Sequence, residues 1–198
     1  MMFKLFTIGY STHSTEYFIE LLKKHGITAV CDVRSSPYSR FMPQFNRELL
    51  KNELANYHIA YIYLGAELGP RSSDSSCYEN GKVQYNRVSI TDIFQQGLRR
   101  LRKGMASYRI ALMCAEKDPI TCHRMILICR NLRNDDIVIR HILEDGNLED
   151  QINAERRLMK LLKVDPVDLF ASEAEQIQLA YDLQSEKIAY RKDVEDNE

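Results

Sequence analysis

The stretch Ala111-Leu-Met-Cys-Ala-Glu-Lys-Asp-Pro-Ile-Thr-Cys-His-Arg124 decides the fold of this 198-residue chain. Its apolar head reads as a buried strand, and its polar middle as a turn. Pro119 then suits the first position of a helix, which the apolar spacing carries to Leu132. A strand that ends in polar residues and opens a helix is half of a βαβ unit. In such units ligands bind beyond the carboxyl ends of the strands. Glu116, Asp118, Cys122, His123 and Arg124 therefore fall where an α/β protein places its chemistry.

The same alternation continues to either side. Strands are expected over 4–10, 28–33, 59–64, 109–114 and 137–142. Helices are expected between them: one carries Phe18, Leu21, Leu22 and His25, capped by Ser14 or Thr15 and stopped by Gly26. A second lies over Leu49, Leu50 and Leu54 with Asn46 as cap, and a third spans 91–103. This predicts a Rossmann-like three-layer α/β fold with a mainly parallel sheet of about five strands and right-handed crossovers. The α/β domain covers 1–145. A C-terminal extension, 146–198, holds two further helices, near 148–162 and 173–190, and a solvated tail from 193. These helices could cover a sheet edge or mediate a homodimer. Segment 65–87 reads as a long irregular loop, either a binding lid or a tolerated insertion.

Composition excludes several classes. Net charge is −1, so no global field draws the chain to nucleic acid or membrane, although a local basic patch is compatible with it. No stretch approaches the roughly 18 apolar residues of a membrane span. The N-terminus runs straight into a strand-like segment without the apolar region of a signal peptide. Five cysteines, an odd number, suit reduced thiols and a cytoplasmic protein.

Three strand ends converge on one edge of a parallel sheet: Gly9-Tyr-Ser-Thr-His13, Asp32-Val-Arg34 and Cys114-Ala-Glu116. Gly9 permits close backbone approach, and Ser11 lies in the same turn. Tyr10 could stack on a base or supply a hydroxyl. Asp32 and Arg34 share a pleat face; either they pair with each other, or Arg34 holds an anion with Asp32 positioning it. Arg124 near a helix N-terminus, joined by Arg34, Arg40 and Arg71, offers a phosphate site. Glu116 is the acid/base or nucleophile candidate, with His123 sharing proton transfer. Cys122 is either a thiol nucleophile or, with Ile126 and Cys129 on one helical face, a core thiol. Cys114, Cys122 and His123 could ligate a metal, but their spacing fits no standard zinc pattern, so neither metal nor cofactor is expected. The loop 35–46 mixes Arg40 with Tyr38, Phe41 and Phe45, which could stack a base or fold back on the core.

Four segments resemble the family called Domain of Unknown Function 488. They are Thr7-Ile-Gly-Tyr-Ser-Thr-His-Ser14, Asp32-Val-Arg-Ser-Ser-Pro-Tyr-Ser-Arg40 with Pro43-Gln-Phe-Asn46, Tyr63-Leu-Gly-Ala-Glu-Leu-Gly69, and Cys114 to Arg124. They span about 3–145, and Pro70 departs from the glycine expected there. The resemblance implies an α/β fold and a shared site, and no activity. The leading functional expectation is an enzyme, a hydrolase or transferase, that binds a nucleotide or nucleic-acid phosphate and acts at an N-glycosidic bond through Glu116. The alternatives are a thiol enzyme using Cys122 and a non-catalytic nucleotide or nucleic-acid-binding module.

Overall fold

The computed structural model describes residues 2–133, 136–166 and 171–192. The expected tail from 193 lies outside the described residues. In chain order the elements are β1 (Phe3–Gly9), α1 (Thr15–Lys24), β2 (Ala29–Asp32), α2 (Arg47–Asn56), β3 (Ala60–Tyr63), α3 (Gly65–Leu68), β4 (Tyr78–Glu79), β5 (Lys82–Val83), α4 (Tyr85–Ser89), α5 (Asp92–Met105), β6 (Ile110–Cys114), β7 (Ile137–Ile142), β8 (Leu148–Asp150), α6 (Gln151–Leu162) and α7 (Glu173–Ile188).

The main sheet has six strands in the order β3-β2-β6-β1-β7-β8. The first five are parallel, and β8 adds an antiparallel edge. The expected helix start at Leu148 is therefore a strand, and α6 begins only at Gln151. β6 lies between β1 and β2, with Gly9 beside Cys114 and Asp32 beside Met113. The three strand ends singled out above thus share one edge.

Alternation along β1 feeds two cores. Phe6 and Ile8 join Val30, Ala111, Met113 and Ile142 under α1 and α2, where Phe18, Leu22, Leu50 and Leu54 are fully buried. Leu5 joins Cys31, Leu112, Cys114 and Ile139 on the opposite face, under α5 and the C-terminal helices. Ala154, Leu158, Ile177 and Tyr181 belong to that second core, so α6 and α7 are continuous with the sheet's packing. Three layers result. Ser14, not Thr15, caps α1, accepting from the Tyr17 N–H. A capping box of Ser172 and Glu175 opens α7.

Two expectations are corrected. Segment 65–87 is not structureless: it holds α3, the short β4–β5 hairpin and α4, with Cys77, Val83 and Tyr85 buried. The helix expected over 119–132 is broken. A 3-10 turn spans Pro119–Thr121, Cys122 is extended at φ −129 and ψ 141, and a π-helix follows over Arg124–Ile128 before a second 3-10 turn. Apolar spacing reads as α-helix, whereas the extended Cys122 resets the helix and turns three successive polar side chains inward. Insertions of π-helix into helical runs recur at functional sites.

Candidate functional site

The site is built where β6 ends. Cys114 closes that strand, the 115–118 turn crosses the end of β1, and the 3-10 turn at Pro119 brings Cys122 and His123 back beneath it. Asp118 fixes that turn by accepting from the Ile120 N–H at 3.1 Å. Tyr10 and Ser11 extend the pairing by donating their N–H groups to the carbonyls of Cys114 and Ala115 at 3.0 and 2.9 Å.

Four donor-bearing side chains converge there. The ligand-type atoms of Cys114, Glu116, Cys122 and His123 all lie within 4.8 Å of one another. The chain spacing argued against such a set, because it cannot show that the turn folds Cys122 and His123 back onto Cys114. Nδ1 of His123 lies 3.6 Å from Sγ of Cys114 and 3.8 Å from Sγ of Cys122. Its Nε2 is 3.0 Å from the Val33 carbonyl. A carbonyl only accepts, so Nε2 carries the hydrogen and Nδ1 faces the sulfurs. Sγ of Cys122 is also 3.0 Å from Oε2 of Glu116 and 3.5 Å from the backbone N–H of Arg124. Cys122, Cys114 and His123 are only 1%, 3% and 4% exposed. Glu116 alone opens to solvent.

The electrostatics separate the two thiols. Burial pushes the Cys114 thiol well up, and its hydrogen bond to Cys122 adds to this. Burial also works against a Cys122 thiolate, but the Cys114 thiol and the charges of Arg124 and His123 overcome it and hold Cys122 well below an ordinary thiol. Burial and the neighbouring Cys122 raise Glu116. Cys129, on the same helical run, is an ordinary core thiol that burial pushes far up.

The arginines are spent differently from the anion site read in the sequence. Arg124 is completely buried. Its Nη1 and Nη2 donate to the carbonyls of Glu116 and Lys117 at 2.6 and 2.9 Å, and its Nε to Thr7 at 3.3 Å. It clamps the turn from beneath and does not face the crevice. Arg34 pairs in two-pronged fashion with buried Asp32, at 2.9 and 2.6 Å, and also donates to the Phe45 carbonyl and the Tyr10 hydroxyl. Of the two readings of Asp32 and Arg34, the geometry is that of an internal ion pair. Tyr10 is stacked on Phe45 at 4.3 Å and buried. Arg40 and Arg71 stay exposed, the latter over the Tyr190 ring. Gly9 lies against the protein's own Glu116 carbonyl.

Sequence reasoning passed over a buried polar relay under the site. The Thr7 hydroxyl bonds Nδ1 of His141 at 2.8 Å, whose Nε2 meets Gln151 at 2.9 Å. Glu155, 2% exposed, accepts from Tyr181 and Arg133. The signal was a threonine and a histidine at buried positions of the neighbouring strands β1 and β7.

No curated protein and no solved structure is matched by the chain. A family model does match, over residues 14–130, and it takes in β2, β6 and all four residues of the cluster. The chain belongs to the family described as Domain of unknown function DUF488.

Proposed function

We propose that the chain is a thiol-dependent enzyme of hydrolase or transferase type, with Cys122 as the nucleophile. The observation that carries this reading is the polar surrounding of one sulfur. Sγ of Cys122 has Glu116 Oε2 at 3.0 Å, the Arg124 N–H at 3.5 Å and His123 Nδ1 at 3.8 Å. Cys122 shares the apolar core with Cys129, and what sets it apart is this set of polar partners; a purely structural buried thiol is inert. A sulfur with an acid/base group at hydrogen-bond distance has the arrangement of an activated nucleophile.

On this reading the Cys122 sulfur attacks an electrophilic carbon of the substrate. The S–C bond forms as the bond to the leaving group breaks. Glu116 holds the proton it shares with the Cys122 sulfur and delivers it to the leaving group, while His123 and the Arg124 N–H balance charge on the sulfur. Glu116 is the solvent-facing member, so substrate enters from the carboxyl edge of the sheet past its side chain.

The test is alkylation of the metal-free, folded protein with iodoacetamide near neutral pH, mapped by peptide mass. Cys122 is expected to react well ahead of Cys129. Labelling of Cys122 that appears only with unfolding returns it to the core and ends the proposal.

A second reading, engagement of a nucleotide or nucleic acid, is favoured by one observation. The loop after Arg34 exposes Tyr38 by 61% and Phe41 by 93%, with Arg40 exposed between them. Rings and guanidinium groups together stack bases. The five thiols, all unpaired, fit a cytoplasmic setting, which belongs to the same proposal. So does a homodimer through α7, which exposes Leu179 and Leu183 and is testable by light scattering. Among the described residues no helix is long and apolar enough to cross a membrane.

A further inference from the structure

We propose that Cys114, Glu116, Cys122 and His123 form a binding site for a thiophilic divalent cation of the zinc class. The binding stands on donor geometry alone. Its consequence, reversible capping of the nucleophile, rests on the thiol reading above.

Two thiols, an imidazole and a carboxylate are a complete four-ligand set for zinc. With zinc–sulfur and zinc–nitrogen bonds of about 2.3 and 2.05 Å, a tetrahedral sulfur–nitrogen edge is about 3.5 Å. The two observed edges from His123 Nδ1, 3.6 and 3.8 Å, are close to that length. The Cys122–Glu116 edge of 3.0 Å is shorter, and a small outward movement of the exposed carboxylate would open it. Histidine ligands characteristically donate their other ring N–H to a carbonyl or carboxylate, which fixes ring and tautomer. The Nε2 bond to Val33 does this for His123.

The surroundings hold the donors in place. Arg124 ties down the Glu116 and Lys117 carbonyls. Its buried positive charge lies beneath a set that brings two thiolates and a carboxylate to one dication. Three ligands are buried and fixed by the strand end and the turn, and Glu116 provides the entry route. On binding, thiol protons leave to the buffer and the sulfur lone pairs go to the ion. An ion on Cys122 uses the electron pair that attack on substrate needs, so the loaded protein is the resting form.

The experiment uses the full chain, stripped by chelator dialysis. Zn2+ is titrated in competition with a chromophoric chelator, and Co2+ is titrated while absorption is recorded. One ion per chain is expected, with thiolate-to-cobalt charge-transfer bands and the visible bands of a tetrahedral ion. Glu116→Gln, at an exposed position, keeps the fold and is expected to weaken Zn2+ by about tenfold or more. Cys114→Ser is expected to abolish one thiolate contribution, and circular dichroism checks its folding. Absence of stoichiometric binding in wild type overturns the site. So does binding that Glu116→Gln leaves unchanged, or a cobalt spectrum without thiolate bands. The two proposals fail separately. Zn2+ binding with inert Cys122 in the metal-free protein removes the nucleophile and keeps the site. Reactive Cys122 with no Zn2+ binding, or with no Zn2+ protection from alkylation, removes the site or its capping role and keeps the nucleophile.

Discussion

Gly9 and Glu116 meet through their backbones: a methyl group on the Gly9 α-carbon would overlap the Glu116 carbonyl oxygen and crowd the α-carbon of Lys117. The turn that carries the acid group of the cluster is thus seated on the bare backbone at the end of β1. Relief would have to come from backbone held by Arg124, not from a flexible side chain. Gly9→Ala is therefore expected to destabilise the protein by about 1–3 kcal/mol, the usual cost of overpacking. Denaturant unfolding checks this, and a midpoint equal to wild type would show that the turn is free to move.

His141 makes stability depend on pH. Burial first, and then the nearby Arg124 charge, depress it from 6.5 to about 3. It is neutral when folded, accepting from Thr7 on Nδ1 and donating to Gln151 from Nε2. The unfolded chain binds a proton below about pH 6.5 that the folded chain refuses, so this contribution is present above that pH and lost as pH falls toward 3. The loss is about 1.4 kcal/mol per pH unit, or about 2 kcal/mol between pH 7 and 5. Urea titrations of wild type and His141→Gln should differ in slope against pH over this window. Parallel slopes would remove His141 as the cause.

The layers of the fold were legible because short apolar strand segments alternate with amphipathic helices along the chain. Leu5, Phe6 and Ile8 already announce two buried faces. The candidate edge was legible because Gly9, Asp32 and Cys114 each end an apolar run. Contacts within the edge were not legible, since they depend on one torsional break. With Cys122 helical, Arg124 would stand in a first turn and face an anion. With Cys122 extended, it turns under the sheet end. No propensity distinguishes these states, because the choice is made by the long-range bonds of Arg124 to Thr7 and to the Glu116 carbonyl. The Cys114–His123 proximity has the same origin.

Arg124 itself carries the next prediction. Its guanidinium satisfies two backbone carbonyls and a threonine in a site with no solvent contact. Arg124→Met preserves much of the stem volume but leaves those carbonyls without their donor. The expected cost is about 3 kcal/mol or more, since several buried acceptors lose a charged partner at once. An anion-binding arginine would behave oppositely, losing ligand affinity with little change in stability. Thermal unfolding without ligand distinguishes the two roles, and an unchanged midpoint would contradict the clamp.

Asp118 and Arg157 join the site turn to α6. Nη1 and Nη2 of Arg157 donate to both Asp118 oxygens at 2.7 and 2.8 Å, and Nη2 also reaches Glu149 at 2.8 Å. Asp118 has a second task, accepting from the Ile120 N–H at the start of the turn. The two tasks separate by mutation. Asp118→Asn retains a side-chain oxygen for the turn and weakens only an ion pair whose partners are about one-third exposed, 38% and 34%. Solvent screens such a pair, so the change is expected to cost less than about 1 kcal/mol. Asp118→Ala also removes the cap and is expected to cost about 1 kcal/mol more. Because the turn positions Cys122 and His123, only the alanine variant should alter the rate at which Cys122 is alkylated in the folded protein. Equal alkylation rates in the two variants would mean that the turn is held by Arg124 alone.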